Sequence, residues 1–144
     1  MNNIIKVRWV ITIWEKIFLL KDSKSKKYVL PWGKLEFWET LISALKREII
    51  EETWIIPFIG DIVWFSEYKW VIKWKLTLQY LFEIKNSNDF KNVLNENCSH
   101  WFEWTDSWFY DLKYLKDNNI IFHEDIEDIY KFIEKNQLYI SYIK

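Results

Sequence analysis

Residues 33–55 read GKLEFWETLISALKREIIEETWI, and the rest of the chain is organised around them. Ile42, Leu45 and Ile49 recur at helical spacing after Thr40, a side chain suited to an N-cap, so a helix is predicted over 40–53. Glu48, Glu51 and Glu52 stand at i, i+3 and i+4 on that helix, which places their carboxylates on one face. Like charges so spaced oppose helix formation by about 0.2–0.5 kcal/mol per pair. Two readings answer this: a solvated acidic face in which Arg47 pairs with Glu51, or a divalent cation held among the carboxylates. Around the helix, Trp32, Trp38 and Trp54 put large side chains where a tight loop or a helix end ordinarily uses glycine.

Upstream, residues 4–13, 16–21 and 27–31 have the Val, Ile, Tyr and Leu content of strands. Downstream, strands are predicted at 57–66 and 76–84, a short strand at 102–105, and helices at 109–116 and 124–136. Strands, a helix, strands and then helices describe a mixed α/β domain with helices on both faces of a sheet. Strand and helix do not alternate regularly, which argues against a doubly wound parallel sheet. No repeat, low-complexity tract or linker divides the 144 residues, so 1–144 is read as one domain.

Charge names no partner. The 20 basic and 21 acidic side chains leave a net charge of -1, without the basic field expected of a nucleic-acid or membrane-surface binder. Lys6, Arg8, Glu15 and Lys16 interrupt the apolar N-terminal run before it reaches the length of a signal peptide or membrane span, so a cytoplasmic protein is expected. The lone Cys98 excludes an internal disulfide and suits a reducing compartment. Cys98 and His100 lack the second pair of ligands that a zinc site needs.

From Gly33 the spacing runs five residues to Glu39 and seven to Arg47-Glu48-Ile49-Ile50-Glu51-Glu52-Thr53, then Trp54 and Ile55. This resembles the Nudix hydrolase signature, G-x5-E-x7-R-E-U-x-E-E-x-G-U with U a bulky aliphatic residue. Every defined position agrees except Trp54, where the family has glycine. The flanks are similar too: RWVITI, a hairpin into KIFLLKD, YVLP entering the box, and FEWTD before a helix.

The resemblance implies a Nudix fold, an α/β/α sandwich around a mixed β-sheet. It also implies hydrolysis of a nucleoside diphosphate linked to another group, with Mg²⁺ or Mn²⁺ as cofactor. Carried over by position, Glu48, Glu51 and Glu52 are the expected metal ligands, together with the backbone carbonyl of Trp32. Arg47 and Glu39 are expected to pair and hold the helix. Members often add a carboxylate from a later loop, for which Glu96 and Glu103 are candidates, Glu96 in the more loop-like part. His100 and His123 have no motif support.

Substrate markers are weak. No proline follows Pro57, as ADP-ribose hydrolases of the family tend to have, and Tyr68 is a poorly placed counterpart of the tyrosine in dinucleoside polyphosphate hydrolases. Nucleoside triphosphates, oxidised ones included, are the default substrate. The alternative is a catalytically weak Nudix-fold nucleotide-binding protein. The expected partner is a small-molecule nucleoside diphosphate derivative, with no nucleic acid and no membrane; the oligomeric state, a homodimer included, is left open.

The composition adds a separate expectation. The chain has 11 Trp and 2 Gly, against an average glycine content of about 7%. Abundant Ile, Lys and Asn suggest an AT-rich gene, which should also keep the TGG codon of tryptophan rare. An aromatic surface for bases or sugars would place Trp on strands and faces, whereas these fall in turns. Some bacterial lineages read UGA as glycine, and translating their genes with UGA as tryptophan produces this pattern. On that reading Trp9, Trp14, Trp32, Trp38 and Trp54 are the firmest glycines; Trp70, Trp74, Trp101 and Trp108 follow, Trp64 is undecided, and Trp104 is a genuine tryptophan. A left-handed backbone is to be sought at Trp14, Trp32 or Trp54.

Overall fold

A computed structural model describes residues 2–91, 104–123 and 125–136. Strand β1 (Asn2–Val10) organises the first sheet. It runs parallel to β7 (Lys75–Ile84), with Asn2 opposite Lys75 and Val10 opposite Glu83, and antiparallel to β5 (Trp32–Lys34). Strand β6 (Ile59–Trp70) pairs antiparallel with β7, which completes the order β5-β1-β7-β6. In the second sheet, β3 (Lys16–Asp22) is antiparallel to β2 (Thr12–Ile13), β4 (Tyr28–Val29) and β8 (Trp104–Tyr110).

Alternation along β1 and β3 explains the layering, because successive side chains of a strand point to opposite faces. Val7, Trp9 and Ile11, with Phe18 and Leu20, pack against Ala44, Leu45 and Ile49 of helix α1 (Leu41–Thr53). Val10, Ile17 and Leu19 pack on the other side. Their partners are Leu115 of α2 (Leu112–Asp117) and Ile126, Ile129 and Ile133 of α3 (Asp125–Asn136). The expected α/β/α arrangement around a mixed sheet is therefore present.

Several boundaries differ: the strand expected over 4–13 is two, β1 and β2, and that expected over 27–31 shrinks to Tyr28–Val29. The stretch 32–34, read as loop, forms the edge strand β5, too short for alternation to reveal it. Strand β8 reaches Tyr110, where a helix was expected from 109; α2 begins only after Asp111, whose carboxylate caps the Tyr114 N–H. Strand β6 extends to Trp70 rather than ending at 66. Among the described residues, no helix is long and apolar enough to cross a membrane.

Candidate metal and diphosphate site

Helix α1 starts as the sequence indicates. The Thr40 hydroxyl accepts from the Ser43 N–H while the Ser43 hydroxyl accepts from the Thr40 N–H, a reciprocal cap made with serine rather than the usual Glu or Gln. The helix ends at Trp54, whose backbone is left-handed at φ 61° and whose N–H returns to the Ile50 carbonyl. Between these ends lie the conspicuous charges.

Arg47 is the organising cation. Its Nε donates to Glu39 Oε1 at 2.5 Å and its Nη2 to Glu39 Oε2 at 3.0 Å. Nη1 reaches Glu48 Oε1 at 2.9 Å and Glu51 Oε2 at 3.4 Å, and Nη2 also donates to the Lys34 carbonyl. One guanidinium thus ties the entry loop, β5 and the helix together. The hydrogen bond from Arg47 holds the Glu39 carboxyl below the usual carboxylate range, against the opposing effect of burial.

Glu48 lies against the backbone of Gly33. A Cβ built at Gly33 would fall 2.1 Å from Glu48 Cγ and 2.3 Å from its carboxyl carbon, so a side chain at 33 would displace the glutamate. Glu52 is buried, whereas the Glu51 side chain is 42% exposed. Among the described residues, no three ligating side chains close into a preformed metal cage. Arg47 occupies the space between Glu48 and Glu51. The donor set still fits Mg²⁺ or Mn²⁺: hard carboxylate oxygens on one helical face and a glycine backbone that admits Glu48. Mg²⁺ takes few protein ligands and completes its octahedron with water and phosphate oxygens. Trp32 sits in β5 opposite Arg8. Glu96 and Glu103 lie outside the described residues, as do Cys98 and His100.

The comparisons decide the architecture. A MutT protein from Methanosarcina mazei superposes at a TM-score of 0.67 with 21% identity, over 94% of this chain and 96% of that one. The chain has the Nudix hydrolase fold. The NUDIX domain of Shewanella oneidensis NrtR, solved with ADP ribose, gives a TM-score of 0.62 with 14% identity, covering 95% of this chain and 90% of that one. A bifunctional NMN adenylyltransferase/ADP ribose pyrophosphatase from Francisella tularensis, solved with AMP and a Mn ion, gives 0.57 with 17% identity over 94% of this chain and 42% of that one. No protein-family model and no curated protein matches the sequence.

Beside helix α1, the structure brings together further charged residues that no motif marks. Arg8 on β1 donates to Asp125 Oδ2 at 2.9 Å, and Asp125 Oδ1 lies 2.5 Å from His123 Nδ1. Burial alone would raise the Asp125 carboxyl, but His123 and Arg8 together bring it below the ordinary range. Lys6 stands over the Trp32 ring at 4.0 Å. Burial and then the neighbouring Arg8 and Lys75 push its ammonium down to about 8. The period-2 placement of Lys6 and Arg8 within an apolar strand was the available signal.

Five described non-glycine residues have a left-handed backbone, and three are tryptophans: Trp14 at 55°, Trp54 at 61° and Trp74 at 48°. Trp32 is not among them. The three left-handed rings, and that of Trp38, are mostly solvent-exposed. Trp9 differs, being fully buried in β1, with an indole N–H that finds no acceptor among the described residues.

Proposed function

We propose that the chain is a metal-dependent diphosphohydrolase acting on a small nucleoside diphosphate derivative, with nucleoside triphosphates, oxidised ones included, as the first substrates to test. The observation that carries this reading is Arg47 bridging Glu39, Glu48 and Glu51 beside the Gly33 backbone that receives Glu48. ADP ribose bound to a NUDIX domain of this fold, and AMP with a Mn ion in a bifunctional protein that includes this fold, support the ligand class. Glu48, Glu51, Glu52 and the Trp32 carbonyl would hold the cation, with Glu96 a candidate to join them. A bound Mg²⁺ or Mn²⁺ would neutralise diphosphate charge and acidify an attacking water.

The chain's own residues supply position. Arg47 and Glu39 fix the turn of α1 that carries Glu48 and Glu51, and Gly33 keeps Glu48 against β5. Arg47 also neutralises carboxylates that would otherwise repel one another, so an arriving cation competes with it for Glu48 and Glu51. Titration with Mn²⁺ followed by electron paramagnetic resonance, together with assays of nucleoside triphosphates, ADP ribose and dinucleotides with Mg²⁺, tests the proposal. Saturable Mn²⁺ binding and turnover of one diphosphate class are expected. Binding of nucleotide without turnover on any diphosphate favours a Nudix-fold binding protein instead.

The same reading includes the residues themselves: in the native protein Trp14, Trp54 and Trp74 are glycines encoded by UGA, and so are Trp9, Trp32 and Trp38. Three left-handed indole-bearing residues, each costing about 1–2 kcal/mol, support this for Trp14, Trp54 and Trp74. At Trp54 glycine completes the hydrolase signature. At Trp9 the support is different: burying an indole N–H without an acceptor costs about 1–3 kcal/mol. The gene's codons test the assignment, since TGG at 14, 54 and 74 overturns it.

A further inference from the structure

Beyond the carboxylates, the sheet carries a group of cations on the face turned away from α1. Lys6 lies directly opposite Lys34 across the β1–β5 pair, and Arg8 lies opposite Trp32. Like charges directly opposite on paired strands destabilise a sheet. Lys75 adds a third lysine near enough to act on Lys6. Against these stands Asp125, which is engaged by Arg8 and His123. Among the described residues, Lys6, Lys34 and Lys75 have no carboxylate within ion-pairing distance; the Lys6 ammonium rests on an indole ring. If position 32 is glycine, that contact disappears too.

The cluster borders the diphosphate site. Residues 32–34 form the edge of the sheet, Gly33 receiving Glu48 on one side and Lys34 facing Lys6 on the other. Paired strands lie roughly 5 Å apart, so a ligand that extended from the glutamates around the β5 edge would come onto the face that carries Lys6. Beside the cations the floor is polar rather than apolar: buried Gln79, opposite Lys6 on β7, donates to Ser66. An uncharged aromatic group would gain little there, and an anion would relieve the mutual repulsion of the lysines.

We propose that Lys6, assisted by Lys34 and Lys75, binds a second anionic group of the substrate, a phosphate ester carried beyond the diphosphate that is hydrolysed. This rests on the diphosphohydrolase reading. Its test is calorimetric: Glu52→Gln protein with Mg²⁺ is titrated with ADP ribose and with 2′-phospho-ADP-ribose, which differ by one phosphate. The phosphorylated ligand is expected to bind roughly tenfold tighter, a preference that Lys6→Met removes and Lys6→Arg retains. Equal affinities, a preference that survives Lys6→Met, or no binding of either ligand overturns the proposal. Failure of the hydrolase reading shows separately, as absence of Mg²⁺-dependent turnover by the unsubstituted chain whichever ligand binds tighter.

Discussion

Arg47 grips Glu39 with two nitrogens, Nε at 2.5 Å and Nη2 at 3.0 Å, across the eight residues that separate the entry loop from the second turn of α1. The Glu39 side chain is only 8% exposed and the geometry is forked, so this pair is stronger than an ordinary surface ion pair. Glu39→Gln is expected to cost about 1–2 kcal/mol in urea unfolding and to reduce turnover by misplacing Glu48. Unchanged stability and unchanged turnover would show that the pair positions nothing.

The same pair sets an acid dependence. Glu39 has a lowered carboxyl in the folded chain, so the unfolded chain binds its proton first as pH falls. Its contribution is complete above the ordinary glutamate value of about 4.3 and is lost as pH drops through the folded value. Unfolding free energies of the unsubstituted chain and Glu39→Gln should therefore differ most near pH 6–7, about two units above that value, and converge under acid. A gap that widens below pH 4 would contradict this assignment.

Gly33 faces Glu48 so closely that even a methyl group cannot be added without moving the glutamate. Gly33→Ala is expected to lower stability by about 1–3 kcal/mol. Turnover should fall at least roughly tenfold, because the displaced group is an expected ligand. Thermal unfolding and an assay on the variant check both effects. Full activity would mean that Glu48 does not work from its observed position.

Trp54 and Trp14 bring the left-handed backbone into measurement. Trp54→Gly removes a ring that is 73% exposed and relieves a conformation that disfavours side chains, so stability is expected to rise by about 0.5–1.5 kcal/mol. Trp14→Gly should behave alike at the β2–β3 turn. Trp9→Gly has no such backbone to relieve. It should lose the packing of a buried ring, so the three variants separate strain relief from core loss.

Much of this architecture was legible because single elements carried strong signals. The helix of 40–53 announced itself through Ile42, Leu45 and Ile49 and through the Thr40 cap, and the structure moves its start by one residue. Tyr110 illustrates the opposite case: WTDSWFY mixes aromatic with polar residues on both sides without a clean period, and its pairing with β3 decided strand over helix. Likewise Arg47 could be matched to Glu39 by motif, but its reach to Lys34 and Glu48 depends on β5, which three residues could not reveal. Arg8 and Asp125 meet, with Lys6 nearby, only because β1 and α3 pack on one face, a long-range relation that local periodicity does not encode.

The central claim is that the α1 glutamates support metal-dependent hydrolysis of a diphosphate. The most direct measurement compares Mg²⁺-dependent release of nucleoside monophosphate by the unsubstituted chain with that of Glu52→Gln and Glu51→Gln, alongside circular dichroism to confirm folding. Folded variants with turnover reduced roughly a hundredfold or more are the predicted result. Turnover that is unaffected by Glu52→Gln, or that proceeds equally in chelator, would contradict it.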